Sequence, residues 1–143
     1  MENDYCSYEL SLALKKCGFD WPCRCCYIAD KDTESNAEFT EYASRVRWNS
    51  AKTGGSKYPY VHISAPTLTI AQKWLREAKE IDVLVWNCAC GYGWEISKAD
   101  AQSRGTTLMD YDDNGEDMDS GMWLTYENAL YAGIVVALQF IDN

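Results

Sequence analysis

A helix start in the middle of the chain constrains the fold more than any other feature. Pro66 biases the residue before it toward extended geometry, so Tyr60 to Ser64 is expected to be extended. Beyond it, Leu68, Ala71, Leu75 and Ala78 recur at helical spacing and make one apolar stripe, with Trp74 beside it. Thr67 or Thr69 can cap this helix, and Gln72 completes a capping-box pattern with Thr69. A helix over about Leu68 to Lys79 with one apolar face has to be buried against something. A chain of 143 residues is long enough for a core without staples.

Two further helices follow from the same logic. Leu10, Ala13, Leu14 and Cys17 share a face over Ser7 to Cys17. Ser7 can cap that helix, Lys15 and Lys16 suit its last turn, and Gly18 can stop it. At the other end, Thr125 caps a helix over about Tyr126 to Ile141, with Leu130, Gly133, Ile134, Ala137 and Ile141 on one face.

Strand signals lie between the helices. Ile81 to Trp86 is rich in β-branched residues, and Tyr92, Trp94 and Ile96 alternate with smaller or polar ones. Asn87-Cys88-Ala89-Cys90-Gly91 lies between these runs, so about 81–98 is expected to be a β-hairpin. Arg104 to Asp110 can add a third strand, and Cys23 to Ala29 is a short strand candidate. Residues 30–57 are an irregular excursion. It holds a polar loop, Asp30 to Asn36, and a glycine-containing loop, Lys52 to Lys57. Between them Phe39, Tyr42, Ala43 and Val46 fit either a weak helical stripe or an extended run. An acidic loop spans 110–121. The expected fold is α+β, one domain over 1–143, in which a small antiparallel sheet (the hairpin plus one or two strands) carries about three helices.

Composition narrows the function classes. The formal net charge of -9 argues against nonspecific nucleic-acid binding, which needs clustered Lys and Arg, and against docking on anionic lipid. It leaves cationic partners open. The start, Met1-Glu2-Asn3-Asp4-Tyr5, has no signal-peptide pattern, and no apolar run reaches transmembrane length. A cytoplasmic location is therefore expected, with the seven cysteines reduced; an odd number also forbids complete internal pairing.

Three pieces carry a family likeness. They are Tyr8-Glu9-Leu10-Ser11-Leu12-Ala13-Leu14-Lys15-Lys16-Cys17-Gly18-Phe19, the stretch from Ser64 to Glu77, and Leu124-Thr125-Tyr126-Glu127-Asn128-Ala129-Leu130 with Gly133. In this order the chain resembles small uncharacterised proteins encoded by gut Bacteroidales, their phages and mobile elements. The resemblance covers about two thirds of the chain and leaves out 30–57 and the acidic loop. It implies a small intracellular α+β domain and carries over no catalytic residue.

Several constellations could carry chemistry. Cys23, Cys25 and Cys26 cluster, and Cys88 and Cys90 flank the hairpin turn, so thiolates from two turns could hold a tetrahedral zinc. The C-x-C spacing is one residue short of a zinc knuckle, and a free Cys ordinarily packs as a small hydrophobe. Asp110-Tyr111-Asp112-Asp113-Asn114-Gly115 matches the first half of an EF-hand loop. The bidentate Glu at its twelfth position is replaced by Gly121, which favours a solvated turn. His62, the only histidine, is expected to be a packed or surface residue rather than a catalytic base. There is no P-loop, dinucleotide fingerprint or nucleophile elbow. Trp86, Trp94 and Trp123 are core candidates; an exposed cluster of them would instead mark a binding face.

The sequence thus assigns no catalytic, cofactor-binding or metal residue. It favours a non-enzymatic cytoplasmic interaction module, an accessory protein of a phage or mobile element that meets a basic protein partner. Self-association is the other partner class; direct nucleic-acid and membrane binding are not expected. A DNA-mimicking inhibitor needs its acids in a row at phosphate spacing, whereas six crowd into Asp110 to Asp119. The competing class is a cysteine-based zinc protein or thiol enzyme.

Overall fold

The computed structural model describes residues 4–42, 46–51, 55, 57–89, 91–99, 104–109 and 123–141, with the backbone alone for 88, 99 and 104–109. The fold is α+β; the described residues form three α-helices and two three-stranded antiparallel sheets. The chain divides into two compact units, Met1–Thr67 and Leu68–Asn143. Among the described residues, no helix is long and apolar enough to cross a membrane.

The first unit holds α1 (Tyr8–Lys16), β1 (Cys25–Asp30), β2 (Glu38–Glu41) and β3 (Tyr60–Ser64). The Ser7 side chain caps α1 by accepting from the Leu10 amide at 3.2 Å. Gly18 ends it at φ +96°, a left-handed conformation that costs glycine little. Leu10, Ser11 and Leu14 are the enclosed face of α1, and Ala13 and Cys17 are only half-buried.

β1 is the central strand of the order β2-β1-β3. Tyr27 stands opposite both Phe39 and Ile63, so these three share one face; Ile28, Glu38 and His62 share the other. α1 lies on the Tyr27 face, where Tyr8 meets the Tyr27 ring edge-on at 5.5 Å. Tyr5 and Phe39 extend the contact at 5.3 and 5.4 Å along the ring series. The excursion at 30–57 therefore includes a sheet strand. Of the two readings left open there, the extended one holds at Glu38–Glu41, and Phe39 packs against the Cys25–Tyr27–Ala65 core.

The second unit holds α2 (Leu68–Ala78), β4 (Ile81–Cys88), β5 (Gly91–Ala99), β6 (Arg104–Met109) and α3 (Tyr126–Ala137), which tightens into a short turn, Leu138–Phe140. The hairpin β4–β5 forms as expected and β6 joins it in the order β4-β5-β6. The strand candidates near 25–30 and 60–64 build their own sheet with β2 instead of extending this one. Leu68, Ala71, Trp74 and Leu75 are the buried face of α2, with Ala78 exposed at its end. Thr125 caps α3 by accepting from the Asn128 amide at 3.0 Å. The capping-box reading of Thr69 and Gln72 is corrected: α2 starts at Leu68, so Thr69 lies inside the helix, and the Gln72 side-chain amide donates to the Val83 carbonyl on β4 at 2.7 Å.

α2 packs on β4, α3 packs on β4 and β5, and the two helices pack on each other. Gly133 sets the approach of α3. A Cβ there would stand 2.7 Å from Val83 Cγ1 and 3.0 Å from Trp94 Cβ, both on buried strand residues. Replacing Gly by Ala in a helix ordinarily gains about 1 kcal/mol, and overpacking costs about 1–3 kcal/mol. Gly133→Ala is therefore expected to lower stability by about 1 kcal/mol in denaturant titration; a gain in stability would show that α3 does not close on Val83 and Trp94.

Candidate functional site

Four cysteines of the first unit are buried, and two of them adjoin a buried serine, Cys23 by a hydrogen bond to Ser64 and Cys26 from the position opposite it on β1. Cys6, Cys23, Cys25, Cys26 and Ser64 are all buried, Cys6, Cys26 and Ser64 completely. Burial pushes the Cys23 thiol up to about 12, against the lowering effect of its hydrogen bond with Ser64. Burial likewise lifts Cys26 to about 12, with the neighbouring Cys25 adding to it, and Cys6 is pushed up for the same reason. A nucleophilic cysteine needs the opposite, an electropositive and accessible setting that favours thiolate. His62 is held below its ordinary value by burial and then by the Arg47 and Lys15 charges. A thiolate–imidazolium pair would need the histidine raised and the thiol lowered, so these groups do not form one.

Among the described residues, no three His, Cys, Asp or Glu side chains are placed to hold a metal ion. The proposed partners of Cys23 and Cys25 are not among them: Cys90 and the Cys88 side chain lie outside the described residues, as does the acidic loop 110–121.

Ser64 gives the cluster its order. Its hydroxyl shares a 2.8 Å hydrogen bond with the Tyr42 hydroxyl, and its amide donates to Asn49 Oδ1 at 2.9 Å. Asn49 Nδ2 in turn donates to the Phe19 carbonyl at 2.7 Å. Ser50 adds two bonds to the Asp20 carboxylate, and Cys23 and Arg47 exchange backbone bonds at 2.6 and 2.9 Å. Residues 46–51 are thus tied to both ends of the Phe19–Cys23 segment and to β3. The next residues of the motif are equally occupied. The Ala65 amide donates to the Cys25 carbonyl, the Pro66 carbonyl accepts from the Cys6 amide, and Thr67 bridges to Tyr5. Ser64 to Thr67 is structural throughout.

Next to this hub runs a row of rings. His62 lies between Tyr42 and Tyr58, with centroids at 5.8 and 5.9 Å and interplanar angles of 22° and 9°. Tyr60 meets Tyr58 edge-on at 5.7 Å and is 45% exposed. Lys15 Nζ donates to the His62 carbonyl at 3.4 Å. Sequence reasoning expected His62 on an extended segment, packed or at the surface, and the structure places it half-buried on β3. That reasoning missed the roles of Tyr42, Asn49 and Tyr58, which lie within or just beyond the 30–57 excursion and converge only through the fold.

The second unit presents an apolar surface at the start of α3. Leu124 is 86% exposed and Tyr126 43%. Tyr126 meets the Tyr92 ring edge-on at 6.3 Å, and Tyr92 exchanges backbone hydrogen bonds with Trp123 at 2.8 and 3.1 Å. A hydrophobic residue just before an N-cap usually folds back onto the helix. Leu124 does not, and stays in solvent beside Tyr126. Of the three tryptophans singled out, Trp94 is buried and Trp86 and Trp123 are half-buried. An open cleft of about 430 Å³ lies elsewhere in this unit, lined by Glu77, Lys79, Glu80, Ile81, Lys98 and Phe140 among others. Lys98 is already engaged there with the Phe140 carbonyl at 3.0 Å, so the cleft offers mixed charges and no convergent acid–base pair.

No protein-family model, curated protein or solved structure matches this chain.

Two expectations follow. Ser64→Ala leaves the Tyr42 hydroxyl and the Cys23 thiol without their shared partner and should cost about 1–3 kcal/mol. In a double-mutant cycle with Tyr42→Phe the two effects should add to less than their sum; full additivity would mean that the two hydroxyls do not interact. The raised thiols also fix a pH dependence. The folded state keeps protons that the unfolded state releases, so their contribution is complete below about pH 9 and is lost as pH rises toward about 12. Denaturant titrations of Cys26→Ala should show a shallower alkaline decline than the parent; an identical slope would contradict the burial of this thiol.

Proposed function

We propose that this protein is a non-enzymatic interaction module whose second unit receives a basic protein partner, in the role of an accessory protein of a phage or mobile element. The observation that carries the reading is the exposed Leu124–Tyr126 surface in the acid-rich part of the chain. Residues 68–143 contain thirteen Asp and Glu against five Lys and Arg, whereas residues 1–67 contain nine against eight. Almost all of the net negative charge thus belongs to the half that exposes Leu124 and Tyr126. Apolar anchors within a charged surround are how interfaces gain both affinity and orientation, the anchors acting through burial and the charges through steering. The resemblance to small proteins of gut Bacteroidales, their phages and mobile elements supports the accessory role.

The buried, protonated thiols and the uncharged His62 favour this reading over the thiol-enzyme alternative. A cationic amphipathic peptide of alternating Lys and Leu is a suitable probe, with a Glu and Leu peptide as control. The full chain should bind the first in a salt-sensitive manner and ignore the second. Leu124→Ala combined with Tyr126→Ala, both at exposed positions, should weaken that binding about tenfold. Equal binding of both peptides, or no effect of the double substitution, contradicts the proposal. A concentration-dependent dimer that these substitutions abolish would assign the surface to a second copy of the chain instead.

A further inference from the structure

We infer that the free edge of β4 receives an extended, Lys- and Arg-containing segment of a partner protein as an added strand, hydrogen-bonded to the Val85 and Asn87 backbone. An edge strand presents a row of unpaired N–H and C=O groups, and strand addition there is a recurrent mode of peptide recognition. β4 is an edge strand of the order β4-β5-β6.

Residues along an antiparallel pair alternate between bonding the neighbouring strand and facing outward. The Val83 carbonyl accepts from Gln72 of α2 at 2.7 Å, outside the β4–β5 ladder, so Val83 is of the outward kind. Val85 and Asn87 follow at the same alternation, while Leu84 and Trp86 bond their partners Glu95 and Gly93 on β5. Among the described residues, no hydrogen bond outside the ladder reaches Val85 or Asn87. Both amides and both carbonyls of this pair are thus open to a new strand, and Gln72 marks where the open stretch begins. Side chains leave the edge clear. A Cβ on Gly93 would run into the Trp86 ring, so that ring leans over β5 and away from the edge. Asn87 is exposed.

Two other sheet edges are closed by devices that β4 lacks. β2 is four residues long and begins and ends on Glu. On β3 the His62 carbonyl accepts from Lys15 and the Ser64 amide donates to Asn49, so side chains already occupy those backbone groups. β4 runs for eight residues, and Val83-Leu84-Val85-Trp86-Asn87 contains no charge, proline or glycine.

Side-chain faces and charge decide the occupant. Val83 and Trp94 meet α3 at Gly133, so the helices cover the face of the sheet that holds Val83, Val85 and Trp94. Leu84 and Trp86 belong to the opposite face, where Leu84 is 49% exposed. An incoming strand with an apolar residue beside Leu84 buries that side chain. Residues 68–143 hold thirteen Asp and Glu against five Lys and Arg, which attracts a basic segment and repels a second copy of the same acidic unit. The inference shares its basic partner with the proposed function, but it stands on backbone groups of β4 rather than on Leu124 and Tyr126, so either can fail alone.

Amide hydrogen exchange of the full chain, read residue by residue by NMR, tests it. The probe is a short peptide of alternating Lys and Val, with a Glu and Val peptide as control. Without peptide, the Val85 and Asn87 amides should exchange faster than those of Leu84 and Trp86. The Lys and Val peptide should slow Val85 and Asn87 about tenfold, and the control should leave them unchanged. Asn87→Pro removes one outward donor and leaves the β4–β5 ladder intact, as edge strands tolerate, and should weaken peptide binding about tenfold. Leu84→Lys, at an exposed position, places on this edge the kind of charge that blocks strand addition elsewhere and should also weaken it. Val85 and Asn87 amides that exchange equally fast with and without the peptide overturn the proposal, even where the peptide binds, because binding then runs through another surface such as Leu124–Tyr126. So does unchanged binding in both variants. Protection that grows with protein concentration in the absence of peptide overturns it too, and assigns the edge to a second copy.

Discussion

The hydrogen bonds of Ser64 are the constraint on which the first unit rests. Its side chain is fully enclosed, so a lost partner cannot be replaced by water, and a buried polar group left unpaired costs more than an average bond gains. Tyr42, Asn49 and the Cys23 thiol all converge on this one residue. Through Asn49 the 46–51 segment is held to β3 and to Phe19; through Tyr42 one wall of the His62 stack is fixed. The same enclosure keeps the neighbouring thiols protonated. The placement of the 46–51 segment and that of the Tyr42 ring are therefore consequences of one buried polar network, while burial itself keeps the Cys23 and Cys26 thiols protonated.

Periodicity made the rest of the scaffold legible in advance. α1, α2, α3 and the β4–β5 hairpin each have a repeating apolar face and a turn or cap residue at the boundary, and each forms within a few residues of its expected limits. Where periodicity fails, so did the reading. β2 is four residues long with charged ends, too short to alternate, and it is recognisable only once β1 lies beside it. Gln72 fitted a local capping pattern, yet its amide found a carbonyl on β4, a partner that no spacing rule could show. Strand candidates carry no label for the sheet they join, which is why two sheets form where one was expected. The division of the chain at Thr67 coincides with a change in charge, from near neutral before it to acidic after it, but charge balance alone does not set a boundary between compact units.

The candidate sites illustrate the same limit from the side of chemistry. Seven cysteines invite a metal or redox reading, but reactivity depends on the environment of the sulfur rather than on its abundance. Three of the four buried in the first unit are driven toward the neutral thiol by burial. A net charge of -9 similarly averages over two dissimilar halves, and residues 1–67 are close to neutral. Whole-chain charge thus says little about the aromatic row, which has Lys15 and Arg47 beside it, and more about the second unit. Surface recognition rather than bond chemistry is what we propose for the second unit, with Leu124 and Tyr126 as anchors.

The central claim is that the cysteine cluster is core and not catalyst. Site-resolved Cβ chemical shifts of Cys6, Cys23 and Cys26, recorded on reduced folded protein, distinguish thiol from thiolate at each position. The account predicts that all three remain constant from about pH 7 to about pH 10, beyond the ordinary cysteine range. An inflection near neutrality at any of them would reveal a stabilised thiolate and contradict the account.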